Sequence, residues 1–192
     1  MRGLIFGGAA CLLAPSTFAQ ALDDQFHYYT YGNVAHSLLI LGSSDSRTGG
    51  GLSMAVGRLD PKLRLFRHVD GELIWEGYYL VTNGKSNTQF PAETTEAWGA
   101  LATARYRWTV RRGISFYGDL GFGVQFVDHV TKDLRLANNT TPVFGIGLEF
   151  SYANKTALLL GGRVLHASNA GRTSPNPGQN MLQWYIGFRY QH

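Results

Sequence analysis

The chain of 192 residues has one cysteine, Cys11, so no disulfide within it and no thiolate metal cluster supports the fold. It has no run of about 18 apolar residues, which excludes a transmembrane helix. Charge is sparse, at 16% Asp, Glu, Lys and Arg, and the 24 glycines follow no three-residue period, which excludes a collagen-like chain. What is abundant is aromatic: 11 Phe, 10 Tyr and 4 Trp, far too many for a solvated, disordered chain. A glycine- and aromatic-rich chain of this length favours one all-β domain.

The first residues read as processing. Met1-Arg2 is a positive start, Leu4 to Pro15 is mostly small and apolar, and Ser16-Thr17-Phe18-Ala19 offers a cleavage site. A signal peptide over 1–19 is expected, cleaved near Ala19 or Ala21. The alternative is a lipoprotein cysteine at Cys11, against which stand the short apolar run before it and Gly8 three positions upstream. Beyond Arg2 there are 16 basic and 13 acidic residues, a mild excess that does not by itself imply nucleic acid.

A period of two dominates the rest. Ile114, Phe116, Gly118, Leu120, Phe122, Val124 and Phe126 alternate with Ser115, Tyr117, Asp119, Gly121, Gly123 and Gln125. Similar alternation runs through 98–110, 144–152 and 182–190, with further strands expected at 35–42, 51–58, 69–80 and 156–168. Residues 20–34 are expected as an N-terminal lead, with the barrel over 35–192. One oily face per strand fits a soluble sandwich or lipocalin-like barrel with the oil inside, or a membrane barrel with the oil outside. Connector lengths favour the membrane: tight turns at Asp60-Pro61, Arg111-Gly113 and Ala153-Lys155 alternate with longer segments near 43–50, 81–96, 127–141 and 169–179. The expected fold is an eight-stranded antiparallel transmembrane β-barrel of the bacterial outer membrane. Arg105, Arg107, Asp119, Glu72, Glu76 and Glu149 would then point inward as a polar network.

Chemistry concentrates in the last hairpin. Keeping Arg163 off the lipid puts His166 and Ser168 on the outer face, about 7 Å apart along the strand. A histidine able to take the proton of a serine hydroxyl is the minimum for nucleophilic ester hydrolysis. Taken alone, the pair is better explained as two polar residues at a strand end. Asn180, in the outward set of the following strand, falls beside them and supplies an amide that can orient the imidazole. Gly171 and Gly178 permit backbone angles that aim N–H groups at an oxyanion, or simply make a surface loop. The six histidines show no metal-ligand spacing, so no metal and no cofactor are expected.

His166-Ala167-Ser168-Asn169-Ala170-Gly171 followed by Pro175-Asn176-Pro177-Gly178 resembles the signature of the lipid A 3-O-deacylases, the PagL-like outer-membrane barrels. The resemblance is specific over about 144–190 and extends in pattern to about residue 35. It implies an outer-membrane serine esterase that removes the acyl chain at position 3 of lipid A, its site on the barrel's outer surface facing the outer leaflet. Ser168 would be the nucleophile and His166 the base. Asn169, Gly171 and Asn176 would lie in the oxyanion hole, and Phe144 near the acyl chain. The family pattern has Glu as the third member, where this chain has Asn180. Loop bases Arg172, Lys132, Arg135 and Lys85 are candidates for the phosphates of lipid A, or are ordinary solvated charges. The expected partners are lipopolysaccharide and the outer membrane, with no nucleic acid; a homodimer is left open. The rivals are a non-catalytic small barrel, for adhesion or envelope integrity, and a phospholipase on the same scaffold.

Overall fold

A computed structural model describes residues 26–191, apart from 42, 65, 67, 85–92 and 154. The expected signal peptide, residues 20–25 of the expected lead and Lys85 lie outside the described residues. Nine strands form one antiparallel sheet: β1 (Phe26–Ser37), β2 (Arg47–Leu59), β3 (Val69–Gly84), β4 (Thr94–Arg111), β5 (Ile114–Val127), a short β6 (Asn138–Thr140), β7 (Val143–Ala153), β8 (Thr156–Ala167) and β9 (Gln179–Gln191). The eight long strands pair in chain order, and β9 returns to β1 with Tyr28 opposite Tyr190, so the sheet closes into a barrel with no free edge. Among the described residues no helix is long and apolar enough to cross a membrane.

The exterior is the oily face. Leu120 is 65% exposed, and Ile146, Phe122, Trp184 and Ile186 are exposed beside it around the waist. On β4, exposed Trp98 and Trp108 stand ten residues apart. That is about 33 Å along a strand, or about 25 Å of height at the usual barrel tilt, the height of a transmembrane apolar band with its aromatic girdles.

The interior is filled in layers. Nearest the long loops, Leu80, Leu101, Leu134, Leu165 and Met181 make an apolar plug. Beneath it Arg163 reaches both carboxylate oxygens of Glu76 at 2.8 Å and bonds Gln183. Arg105 pairs with Asp119 at 2.7 Å, its guanidinium over the Tyr117 ring. At the short-turn end Glu72 accepts from Tyr29, Arg107 and His27, while Glu149 holds Arg107 and Arg189. Every charge the sequence pattern turned inward is inside and paired, which is how a barrel of this girth carries ions in a low-dielectric lumen. The polar space left beside Arg105 and Arg163 is about 10 Å³, the size of one water.

The first strand is not where the hydrophobic pattern puts it. The expectation was a strand over 35–42 after a lead; β1 instead begins at Phe26, and residues 26–34 are barrel wall. The inner positions of β1 are His27, Tyr29, Tyr31 and Asn33, all buried, against outer positions Tyr28, Thr30, Gly32 and Val34. Tyrosine and histidine suit a polar lumen as well as an interface, so the two faces do not contrast. The apolar run Leu38-Leu39-Ile40-Leu41 that imitates a strand is loop, with Leu39, Ile40 and Leu41 exposed. Strands β3 and β4 also extend beyond their expected ends, into the connector near 81–96.

Candidate active site

β8 and β9 are joined through the loop 168–178, at the barrel end that carries the long connectors. In β8 Arg163, Leu165 and Ala167 face in, so His166 faces out; in β9 Met181 and Gln183 face in, so Asn180 faces out. The register sets His166 directly opposite Asn180. Their side chains meet, with His166 Nδ1 2.8 Å from Asn180 Oδ1. Strand pairing alone therefore brings together residues fourteen apart in the chain.

The neighbouring segment holds the backbone of both other positions. His166 N–H donates to the Pro142 carbonyl at 3.1 Å. Ser168 exchanges two backbone bonds with Thr140 of β6, at 2.8 and 3.1 Å, and its carbonyl also accepts from the Thr140 hydroxyl. The serine, two residues on from His166, is thus fixed at the strand's end and buried.

The site is more enclosed than an open lipid-facing wall. Asn180 is 1% exposed because the loop after β1 folds over it. Leu38 N–H donates to the Asn180 carbonyl at 2.8 Å, and the Asn180 amide nitrogen donates to the Ile40 carbonyl at 2.8 Å. A backbone carbonyl can only accept, so the NH₂ must face Ile40 and the amide oxygen must face His166. That oxygen also only accepts. Neutral His166 therefore carries its proton on Nδ1, and the lone pair of Nε2 is left to act as a base.

Gly178 lies against that working edge. It has φ +68°, and a Cβ built on it would stand 2.5 Å from His166 Cε1 and 3.0 Å from Nε2. Only glycine satisfies both the left-handed backbone and the space.

The other expected residues surround this centre. Asn169 is buried; its N–H donates to Asn176 Oδ1 at 3.1 Å, and its amide nitrogen donates to the carbonyl and hydroxyl of Thr173. Ala170 and Gly171 have φ of +54° and +77°, and beside Gly171 a Cβ would meet nothing within 4 Å. Arg172 donates to the carbonyls of Asn169 and Asn138, which ties this turn to β6. Phe144 is exposed on β7, opposite Val164 and so next to the site on the outer wall. Glu149, the other carboxylate near the motif in sequence, is inside the barrel with Arg107 and Arg189. Among the described residues no group of three or more His, Asp, Glu or Cys is arranged to hold a metal ion.

Sequence reasoning missed the contributions of main chain. The Ile40, Thr140 and Pro142 carbonyls leave no side-chain signal. Gly178 reads as a turn former, and nothing in its neighbours points to the imidazole. Asp133, which anchors the loop over Asn180, lies in a connector with no periodicity.

Comparison with known proteins gives a consistent picture. The sequence profile of a family described as "Lipid A 3-O-deacylase (PagL)" matches residues 49–189. No curated protein sequence matches the chain. Among solved structures, the outer membrane enzyme PagL superposes with a TM-score of 0.56 at 16% identity, covering 85% of this chain and 99% of that one. Neisserial surface protein A superposes with 0.60 at 12% identity, covering 87% and 97%. The outer membrane protein OprG from Pseudomonas aeruginosa gives 0.51 at 11%, covering 88% and 97%. At such identities these structures share the fold: a closed eight-stranded barrel of the outer membrane.

Proposed function

The chain belongs to the lipid A 3-O-deacylase (PagL) family, and on that premise we propose that it is a serine esterase acting on the 3-position acyl ester of lipid A. The observation that carries the mechanism is the His166–Asn180 contact of 2.8 Å beside Ser168 at the long-loop end of the barrel. Ser168 Oγ attacks the ester carbonyl carbon while its proton passes to His166 Nε2. Asn180 holds the ring through Nδ1–H and sets its tautomer. The tetrahedral intermediate collapses with cleavage of the bond to the sugar oxygen, which takes the proton back from His166. Water, deprotonated by the same imidazole, then attacks the acyl-enzyme and releases the fatty acid.

The oxyanion needs donors, and the Asn169 N–H is already given to Asn176. Asn169 therefore shapes the turn, while the Gly171 N–H and the Asn176 amide nitrogen are the donors for the developing charge. Phe144 lines the path of the acyl chain down the outer wall, and exposed Arg172 stands at loop level for a lipid A phosphate. With the long loops outside, the site faces the outer leaflet, so substrate reaches it without leaving the membrane.

The test compares lipid A masses from cells expressing the wild type and Ser168→Ala. Loss of one ester-linked acyl chain only with the wild type is the expected result. Identical spectra from two folded barrels would sink the esterase reading in favour of a non-catalytic barrel. Fatty acid released from glycerophospholipid, with lipid A intact, would instead identify a phospholipase.

A further inference from the structure

Asp133 is 1% exposed and pairs with no cation among the described residues. Its carboxylate is satisfied by one short segment. Oδ2 accepts from the Ser43 hydroxyl at 2.9 Å and from the N–H groups of Ser44 and Asp45 at 2.7 Å each, and Oδ1 accepts from the Ser44 hydroxyl at 3.0 Å. A buried carboxylate with four donors is a strong anchor.

The segment it holds continues directly into the carbonyl that orients Asn180. Ser43 N–H donates to the Ile40 carbonyl at 3.1 Å, and the second partner of that oxygen is the Asn180 amide at 2.8 Å. Both lone pairs of the Ile40 oxygen are then in use. The chain of contacts runs Asp133, Ser43, Ile40, Asn180, His166, each link a hydrogen bond of 3.1 Å or less.

We propose that Asp133 is a positioning residue of the catalytic centre, and that the segment 43–45 it clamps, with the Ile40 carbonyl bonded to it, makes an amide, not a carboxylate, the partner His166 requires in this chain. The proposal rests on the Ser168–His166–Asn180 reading. A carboxylate at position 180 would set a second oxygen against the Ile40 carbonyl, two acceptors about 2.8 Å apart with no proton between them. Asn180 is thus matched to its loop. Loosening the loop frees the amide to turn over. Its NH₂ would then face Nδ1, move the proton to Nε2 and remove the base.

The experiment uses full-length protein purified in detergent micelles, with lipid A as substrate. Asp133→Ala removes all four bonds; expected is a fall in kcat of tenfold or more with KM within twofold, the barrel remaining folded by its heat-dependent gel mobility. Asp133→Asn keeps an acceptor for the three-donor position and is expected to restore at least half of the lost rate. Asn180→Asp is expected to be slower than wild type. Nitrogen NMR of ¹⁵N-histidine-labelled protein, with His166 assigned from a His166→Gln sample, is expected to show the Nδ1–H form in wild type and the Nε2–H form in Asp133→Ala. An unchanged kcat and tautomer in a folded Asp133→Ala variant would overturn the proposal, as would an Asn180→Asp variant faster than wild type. If wild type and Ser168→Ala release no acyl chain, the esterase reading fails; the tautomer comparison still decides the positioning role.

Discussion

Replacing Gly178 by alanine puts a methyl carbon 2.5 Å from His166 Cε1, where carbon atoms need about 3.5 Å. The glycine cannot retreat, because its carbonyl side leads straight into β9 and the Asn180 pairing. The imidazole must therefore yield by about 1 Å, which stretches the 2.8 Å bond to Asn180 and displaces Nε2. A displacement of about that size costs about 100-fold in rate, or about 2.7 kcal/mol at 1.36 kcal/mol per tenfold. Alanine at φ +68° also adds about 1–2 kcal/mol of backbone strain, which affects folding and not turnover. Gly113, at φ +77° in the short β4–β5 turn far from the site, is the control: Gly113→Ala carries the same backbone penalty and only a 3.2 Å approach to the Ser151 carbonyl. The assay is initial release of fatty acid from purified lipid A, followed by mass spectrometry, beside the gel-mobility transition of each variant. Expected is a loss of stability in both, larger in Gly178→Ala, with loss of rate confined to Gly178→Ala. A Gly178→Ala variant within threefold of wild type would refute the placement of the imidazole against this glycine.

Two further predictions address the barrel. Leu120→Arg places a charge on an exposed position level with the middle of the β4 tryptophan girdles. If that face meets lipid, the change costs about 2–4 kcal/mol and lowers the denaturant midpoint of the barrel in lipid vesicles; an unchanged midpoint would mean that the face meets water. Glu76→Gln leaves Arg163 buried without its bidentate carboxylate. Breaking one side of a buried pair costs about 3–5 kcal/mol, so the gel-mobility transition should fall clearly in temperature, and an unchanged transition would show that the lumen is wet enough to solvate the guanidinium.

Much of the molecule was legible from residue types and their spacing. Strands with one wholly apolar face, such as 114–126, announce themselves because lipid demands oil at every outward position while the lumen takes Ser, Tyr, Asp and Gln. The inward charges follow from the same alternation: Arg105 and Asp119 could only be inside, and they meet there. β1 was not legible, because Tyr, His, Asn and Thr on both faces erase the contrast on which period-two reasoning depends.

The site divides in the same way. That His166 and Ser168 share a face, and that Asn180 falls across the hairpin, is a property of the sequence by itself: parity along a strand and the nearest-neighbour pairing of a hairpin need nothing else. Tertiary structure decided the rest. The loop after β1 reaches Asn180 only because β1 closes the barrel against β9, a pairing between the two ends of the chain. Asp133, Ile40 and Gly178 act on the imidazole through a carboxylate, a main-chain carbonyl and a missing side chain drawn from three separate connectors. Hydrogen-bond direction and close approach arise from where closure places those connectors, and no local pattern encodes that.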